Sequence, residues 1–126
     1  MPRVLIVDDS LFMRKILGDI LSREGAQVVG EADNGQSAVD KFRELKPDVV
    51  TLDIVMPKTG EIGGGIAALR EIMKLDPKAR VIMVSAMGQH ALVVEAIQAG
   101  ARDFIVKPFQ QARIAQALKK VLLSGG

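Results

Sequence analysis

Short apolar runs alternate along the chain with segments in which apolar residues recur at helical spacing. Runs of this kind, rich in Val and Ile, are typical of strands buried on both faces of a parallel sheet. Of these runs, the second along the chain has the weakest strand pattern. The five predicted strands are RVLIVDD from residue 3, AQVVGEA from 26, DVVTLD from 48, RVIMVSA from 80 and DFIVKP from 103.

The segments between these runs predict five helices. Ser10 can cap the first helix, which ends at Gly25, and Asn34 or Asp33 can cap the second, which stops before Pro47. The remaining helices are predicted over residues 66–75, 91–99 and 110–123. The alternation indicates an α/β fold, a doubly wound five-stranded parallel sheet with helices on both faces. No linker or repeat divides it, so residues 1–126 are expected to form one domain.

The composition narrows the function classes. With 48% hydrophobic and 25% charged residues it is ordinary for a soluble globular protein. No apolar run approaches a membrane span, and the N-terminus lacks the order of a signal peptide. The absence of cysteine excludes disulfides and thiolate ligands and fits a cytoplasmic setting. A net charge of +2 and 3% aromatic residues argue against nucleic-acid binding, and Arg14 and Lys15 are expected on the solvated surface of the first helix.

Polar side chains follow four of the predicted strands. Because parallel strands end at one edge of the sheet, where ligands bind in such folds, these side chains are expected to lie together. They are Asp8 and Asp9 after the first strand, Asp53 after the third, Ser85 after the fourth and Lys107 after the fifth.

Three neighbouring carboxylates repel one another, by about 4 kcal/mol for each close pair at an effective dielectric of about 20. Lys107 can offset one charge and a divalent cation two more. Oxygen ligands without His or Cys favour Mg²⁺, with Mn²⁺ or Ca²⁺ as alternatives. Such a pocket suits phosphoryl transfer, and a carboxylate can itself be the nucleophile, which gives an aspartyl phosphate.

The motifs VLIVDDS, VVTLDIVMP, VIMVSAMG and GARDFIVKPF resemble the receiver domain of two-component response regulators, in particular the single-domain, CheY-like chemotaxis type. The resemblance spans essentially the whole chain. It implies a flavodoxin-like (βα)5 fold with strand order 2-1-3-4-5. It also implies phosphorylation, by a histidine kinase or by small phosphodonors, of the aspartate that ends the third strand.

The resemblance also implies residue roles by position. Asp53 corresponds to the phosphoacceptor. The implied Mg²⁺ ligands are Asp8, Asp9, Asp53 and the backbone carbonyl of Val55. The residues implied to contact the phosphoryl group or to switch are Ser85, Lys107 and Phe104, and Lys107–Pro108 corresponds to a cis peptide.

The partners implied are a chemotaxis-type histidine kinase and a downstream protein such as the flagellar motor switch or another effector. The partner would contact the fourth helix, the fifth strand and the fifth helix. Apart from its own phosphoryl transfer and slow autodephosphorylation, the chain is not expected to be an enzyme. A receiver fragment of a larger regulator and a phosphate sink remain alternatives.

Two alternative functions, each from a different class of protein, can be judged from individual positions in the sequence. Aspartyl-phosphate phosphatases carry a second Asp two residues after the nucleophile as acid/base, and here that position is Val55. Nucleotide binders of this fold place glycines and hydroxyls after the first strand, where this chain has Asp8 and Asp9. His90 has no second histidine to pair with and is expected to face solvent.

The segment KTGEIGGG, from residue 58, makes the loop before the third helix about four residues longer than is usual in receivers. Its glycines match no nucleotide motif and are poor helix formers, so the helix is expected to begin near Ile66. The glycines are therefore not expected to share a function with Asp53. The hypothesis is a mobile loop over Gly60–Gly65 that loosens the Val55 carbonyl and weakens Mg²⁺ binding.

Overall fold

A computed structural model describes residues 1–57 and 62–123 of the chain. Five parallel strands form one sheet in the order β2-β1-β3-β4-β5. The strands are β1 Arg3–Val7, β2 Gln27–Ala32, β3 Val49–Asp53, β4 Val81–Ser85 and β5 Asp103–Val106. The helices are α1 Leu11–Arg23, α2 Gly35–Leu45, α3 Gly65–Leu75, α4 His90–Gln98 and α5 Gln111–Leu123. The predicted fold class and strand order are confirmed. Within the described ranges no helix is long and apolar enough to cross a membrane.

Side chains at the helix starts explain where α1 and α2 begin. The Ser10 hydroxyl accepts a hydrogen bond from the Met13 N–H at 3.2 Å. The Asn34 side chain accepts one from the Ser37 N–H at 2.8 Å, so Asn34 rather than Asp33 is the cap. Both helices therefore start one residue after a polar side chain that satisfies a free backbone donor.

The core lies on both faces of the sheet. Alternate residues of β1 point to opposite sides, so that Leu5 and Val7 join the cluster under α2, α3 and α4. Val4 and Ile6 join the cluster under α1 and α5. The central strands β3 and β4 are buried along their whole length, which explains why their sequences are nearly continuous apolar runs.

Element ends differ slightly from the prediction. Helix α3 begins at Gly65, near Ile66 as predicted, and the Gly65 N–H donates to the Ile54 carbonyl at 2.9 Å. Strand β5 ends at Val106, since Pro108 has no N–H to continue the ladder. The Lys107–Pro108 peptide is cis, as the resemblance implied. The hypothesised mobile loop over Gly60–Gly65 includes residues 60 and 61, which lie outside the described residues, and its mobility stays a prediction.

Candidate functional site

The edge formed by the carboxyl ends of the strands brings three carboxylates together, as predicted. Asp8 and Asp9 follow β1, and Asp53 is the last residue of β3. One oxygen of each carboxylate lies within 4.8 Å of the others. Asp8 and Asp53 are buried, with 3% and 6% of their surfaces exposed, whereas Asp9 is exposed. The cluster therefore has two buried carboxylates and is open to solvent at Asp9.

Lys107 lies between the two buried carboxylates. Its Nζ is 3.0 Å from Oδ2 of Asp8 and 3.2 Å from Oδ2 of Asp53. Burial alone would lower the pKa of Lys107, but its hydrogen bond to Asp8 and the charges of both carboxylates outweigh burial and raise that pKa above its ordinary value. Lys107 is therefore a fixed positive charge, and three carboxylates with one ammonium leave an excess of negative charge.

The environment of Asp53 disfavours its charged form. Burial is the largest cause, the charge of Asp8 adds to it, and together they raise the pKa of Asp53 from 3.8 to about 6. The opposing contributions of Lys107 and of the Val55 N–H are smaller. An additional cation beside Asp53 would favour its ionised form. The oxygen-only donor set and the uncompensated charge fit a hard divalent cation such as Mg²⁺.

The turn that carries the acidic pair is held by contacts that the sequence did not predict. The Ser10 N–H donates to Oδ1 of Asp8 at 2.8 Å, and the Arg14 guanidinium donates to the Asp8 carbonyl at 2.7 Å. Arg14 also forms an ion pair with Glu31 on β2, and only 14% of its side chain is exposed. The expectation that Arg14 belongs to the solvated helix surface is wrong, because β2 packs beside the start of α1.

Gly65 also belongs to the surroundings of Asp53. A Cβ placed on Gly65 would lie 1.9 Å from the Asp53 carbonyl oxygen and 2.8 Å from the Ile54 Cα. Only glycine allows α3 to begin this close to the end of β3. The expectation that the glycines share no function with Asp53 stays a prediction, but Gly65 packs directly against the end of the strand that carries Asp53. The sequence did contain a signal for this contact, because a glycine stands at the predicted start of the third helix, after the loop that follows Asp53.

Two of the remaining predicted residues, Ser85 and Val55, lie at or just after a strand end on the same edge. Ser85 ends β4 and is buried, and its carbonyl accepts from the Lys107 N–H at 2.8 Å. Val55 follows the strand end with 53% of its surface exposed. Phe104 on β5 is half-buried, and the Arg113 guanidinium lies 5.7 Å from its ring centre. His90, the first residue of α4, is exposed as expected.

Arg113 is a further residue that sequence reasoning missed. It forms two hydrogen bonds to the buried Asp103 carboxylate, of 2.8 and 3.2 Å, and a third to the Phe104 carbonyl. Although burial would raise the pKa of Asp103, the hydrogen bonds from Arg113 and from the Phe104 N–H hold it below its ordinary value, with the charges of Arg113 and Lys120 contributing. Arg113 therefore ties the first turn of α5 to β5 beside Phe104.

Comparisons with known proteins agree with this geometry. The family described as "Response regulator receiver domain" matches residues 4–119. Chemotaxis protein CheY of Thermotoga maritima is 60% identical over 119 residues, 94% of this chain and 96% of that protein. CheY of Bacillus subtilis is 55% identical over 120 residues, 95% of this chain and 97% of that protein. Among solved structures, the CheX–CheY–BeF3–Mg²⁺ complex from Borrelia burgdorferi matches with a TM-score of 0.88 and 43% identity, covering 97% of this chain and 90% of that one.

A five-stranded sheet in this order, with an acidic cluster at its carboxyl edge, places the chain in the doubly wound α/β class with a candidate cation site. The chain belongs to the response regulator receiver domain family and is of the CheY-like type. Its function is accordingly that of a receiver in chemotaxis or two-component signalling, in which phosphorylation is coupled to docking of partner proteins.

Proposed function

We propose that Asp53 is the phosphoacceptor and that a histidine kinase of the chemotaxis type, or a small phosphodonor, supplies the phosphoryl group. The observation that carries the proposal is the position of Lys107, whose ammonium bridges Asp53 and Asp8 at 3.2 and 3.0 Å. This arrangement supports the proposal, because the Asp53 carboxylate, a fixed cation and two further carboxylates lie together at the open edge of one sheet. Phosphoryl transfer requires positioning and charge neutralisation of this kind.

In the proposed reaction one carboxylate oxygen of Asp53 attacks the donor phosphorus. A new O–P bond forms, and the bond from phosphorus to the donor nitrogen or oxygen breaks, its electron pair leaving with the donor. Lys107 offsets the negative charge of the phosphoryl oxygens, and Ser85, at the adjoining strand end, is proposed to donate a hydrogen bond to one of them. Asp53 must be ionised to attack, which its raised pKa of about 6 opposes when no additional cation is present.

We assign the cation as Mg²⁺, with Mn²⁺ as a possible substitute. Its proposed ligands are Asp8, Asp9, Asp53 and the backbone carbonyl of Val55. When bound, Mg²⁺ would neutralise phosphoryl oxygens and favour the ionised carboxylate. The presence of BeF3 and Mg²⁺ in the complex of the Borrelia burgdorferi relative supports this assignment.

The phosphoryl group would change the surface formed by α4, β5 and α5, which we call the output face. It adds negative charge and acceptor oxygens beside Ser85 and Lys107, and we propose that Ser85 and Phe104 shift in response. Exposed apolar side chains on this face could dock a protein, and they include Val94, Ile97 and Val106. A motor-switch protein or another effector is the proposed target. The relative's complex with CheX supports docking to a protein partner in general terms.

Rapid turnover of phosphorylated substrates is not part of this proposal. Val55 occupies the position where an acid/base carboxylate would serve a phosphatase, and its side chain cannot transfer a proton. The phosphoryl group on Asp53 would therefore be lost by slow hydrolysis. The proposal further places residues 1–126 in a single receiver domain in the cytoplasm, consistent with the absence of cysteine.

The test is incubation with Mg²⁺ and a small phosphodonor followed by intact mass measurement. One added phosphoryl group on the wild type and none on Asp53→Asn is the expected result. Asp19→Asn, an exposed aspartate of α1, is the matched control and should be modified like the wild type. Equal modification of the Asp53→Asn variant would refute the assignment, and continuous release of phosphate from many substrates would favour a phosphatase.

A further inference from the structure

We infer that Arg14 is a positioning residue for the metal site: it fixes the turn after β1 so that the carboxylates of Asp8 and Asp9 face the ion. This inference rests on the proposed Mg²⁺ site. Arg14 touches neither the proposed phosphoacceptor nor the proposed ligand oxygens in any contact of the described residues. Its effect would be exerted through the backbone of Asp8.

The contacts of Arg14 run in two directions. One guanidinium nitrogen donates to the Asp8 carbonyl at 2.7 Å, and Nε donates to the Glu31 carboxylate on β2 at 2.8 Å. The Asp8 N–H in turn donates to the Ala32 carbonyl of β2 at 3.0 Å. The peptide groups on both sides of the Asp8 Cα are thus tied to β2, one directly and the other through Arg14.

The Asp8 side chain is then held from two more directions. Its Oδ1 accepts from the Ser10 N–H at 2.8 Å, and its Oδ2 lies 3.0 Å from Nζ of Lys107. With both the backbone and the carboxylate restrained, the orientation of Asp8 is set before any ion arrives. Partners that orient a metal ligand in this way matter for affinity, and their loss typically weakens metal binding by about 10- to 100-fold.

The ion pair with Glu31 explains why a cation beside this acidic cluster does not compete with a metal. Arg14 is largely buried, with 14% of its side chain exposed, and its charge is balanced by Glu31. The guanidinium therefore donates to a carbonyl and leaves the carboxylates of Asp8 and Asp9 to an added cation. Lysine at this position would keep the charge but could not reach both acceptors with a planar fork.

Positioning and simple electrostatics predict opposite signs for loss of Arg14. Removing a positive charge near three carboxylates would by itself strengthen Mg²⁺ binding. Losing a restraint on Asp8 would weaken it. We expect Arg14→Ala and Arg14→Lys to bind Mg²⁺ about tenfold more weakly than the wild type, measured by calorimetric titration with MgCl2 and no phosphodonor. Lys15→Ala removes an exposed cation of the same helix turn and should bind Mg²⁺ as the wild type does or slightly more tightly.

A charge-neutral pair of deletions sharpens the comparison. Arg14→Ala combined with Glu31→Ala removes one charge of each sign and should still bind Mg²⁺ more weakly than the wild type. Recovery of wild-type affinity in the double variant, or affinity in Arg14→Ala equal to or above the wild type, would overturn the inference.

Hydrogen exchange separates this inference from the proposed function. The Ser10 amide, which donates to Asp8 Oδ1, should exchange faster in Arg14→Ala than in the wild type without any metal, and Lys15→Ala should leave it unchanged. A wild type that binds no Mg²⁺ would count against the proposed metal site alone. Equal exchange of the Ser10 amide in Arg14→Ala and the wild type would refute positioning by Arg14.

Discussion

Asp53→Asn should make the metal-free protein more stable at neutral pH, although it removes the proposed phosphoacceptor. Burial and the charge of Asp8 raise the pKa of Asp53 from 3.8 to about 6. The folded protein therefore holds this proton more tightly than the unfolded chain, and ionising Asp53 costs stability. The difference between the two pKa values corresponds to about 3 kcal/mol of unfolding free energy. Asparagine has nearly the same shape without the charge, and Lys107 keeps its contact with Asp8.

The sign of the pH dependence follows from the raised pKa of Asp53. Below about pH 3 the carboxyl is mostly protonated in both states and costs little. Wild-type stability then falls, relative to Asp53→Asn, as the pH rises through the window between 3.8 and about 6, and the full cost is present at pH 7 and above. The gap of about 3 kcal/mol at pH 8 should shrink to roughly half at pH 5. At about 2.1 cal/mol/K of unfolding entropy per residue, the gap at pH 8 corresponds to a melting temperature about 10 °C higher for the variant.

The assay is thermal unfolding followed by far-ultraviolet circular dichroism in EDTA, since the chain has no Trp or Tyr to report by fluorescence. Asp19→Asn serves as the matched control, because Asp19 is exposed on α1, and it should change stability by less than about 0.5 kcal/mol at either pH. Millimolar Mg²⁺ should stabilise the wild type more than Asp53→Asn. A variant no more stable than the wild type at pH 8, or a gap that does not shrink at pH 5, would refute the reasoning.

Three further substitutions test packing around the site and can be compared by urea unfolding. Gly65→Ala should cost about 2 kcal/mol and slow phosphorylation, because the new Cβ would lie 1.9 Å from a backbone oxygen at the end of β3. Gly63→Ala, with its nearest neighbour at 3.7 Å, is the control, and equal losses would contradict the argument. Arg113→Ala should also cost about 2 kcal/mol, because the buried Asp103 carboxylate would lose its ion pair and keep the Phe104 N–H and, at 4.0 Å, the Lys120 ammonium. Arg70→Ala at an exposed ion pair should cost less than about 0.5 kcal/mol, and a loss as large as that of Arg113→Ala would count against this account. Thr51→Val should raise the free energy of unfolding by about 1 kcal/mol, because the buried hydroxyl has no hydrogen-bond partner among the described residues. A net loss of stability would show that the hydroxyl has a partner.

The order of strands and helices was sufficient to predict which residues meet at the site. In a parallel sheet every strand ends at the same edge, so the positions of Asp53 and Lys107 follow from where the apolar runs stop. That inference does not depend on sequence separation, and it holds although Asp53 and Lys107 are 54 residues apart in the sequence. The helix caps were also local, because a cap contacts an amide only a few residues away.

The unequal roles of neighbouring residues were decided by tertiary packing. Asp8 and Asp9 look alike in the sequence, but the structure buries Asp8 against Lys107 and leaves Asp9 in solvent. From the sequence alone, Arg14 is predicted to be an exposed helix residue. In the structure β2 packs beside α1, and the Arg14 guanidinium donates to Glu31 and to the Asp8 carbonyl.

Gly65 is a further residue for which the sequence determines one property and tertiary packing another. The sequence alone determined that a glycine precedes the third helix, and by propensity that glycine is a weak helix former. Only the three-dimensional arrangement shows that a side chain there would overlap the Asp53 carbonyl. Patterns along the chain determine which elements form and which edge of the sheet they reach. Contacts between residues far apart in sequence depend on how those elements pack, and they set the burial, charge balance and restraint of each group at the site.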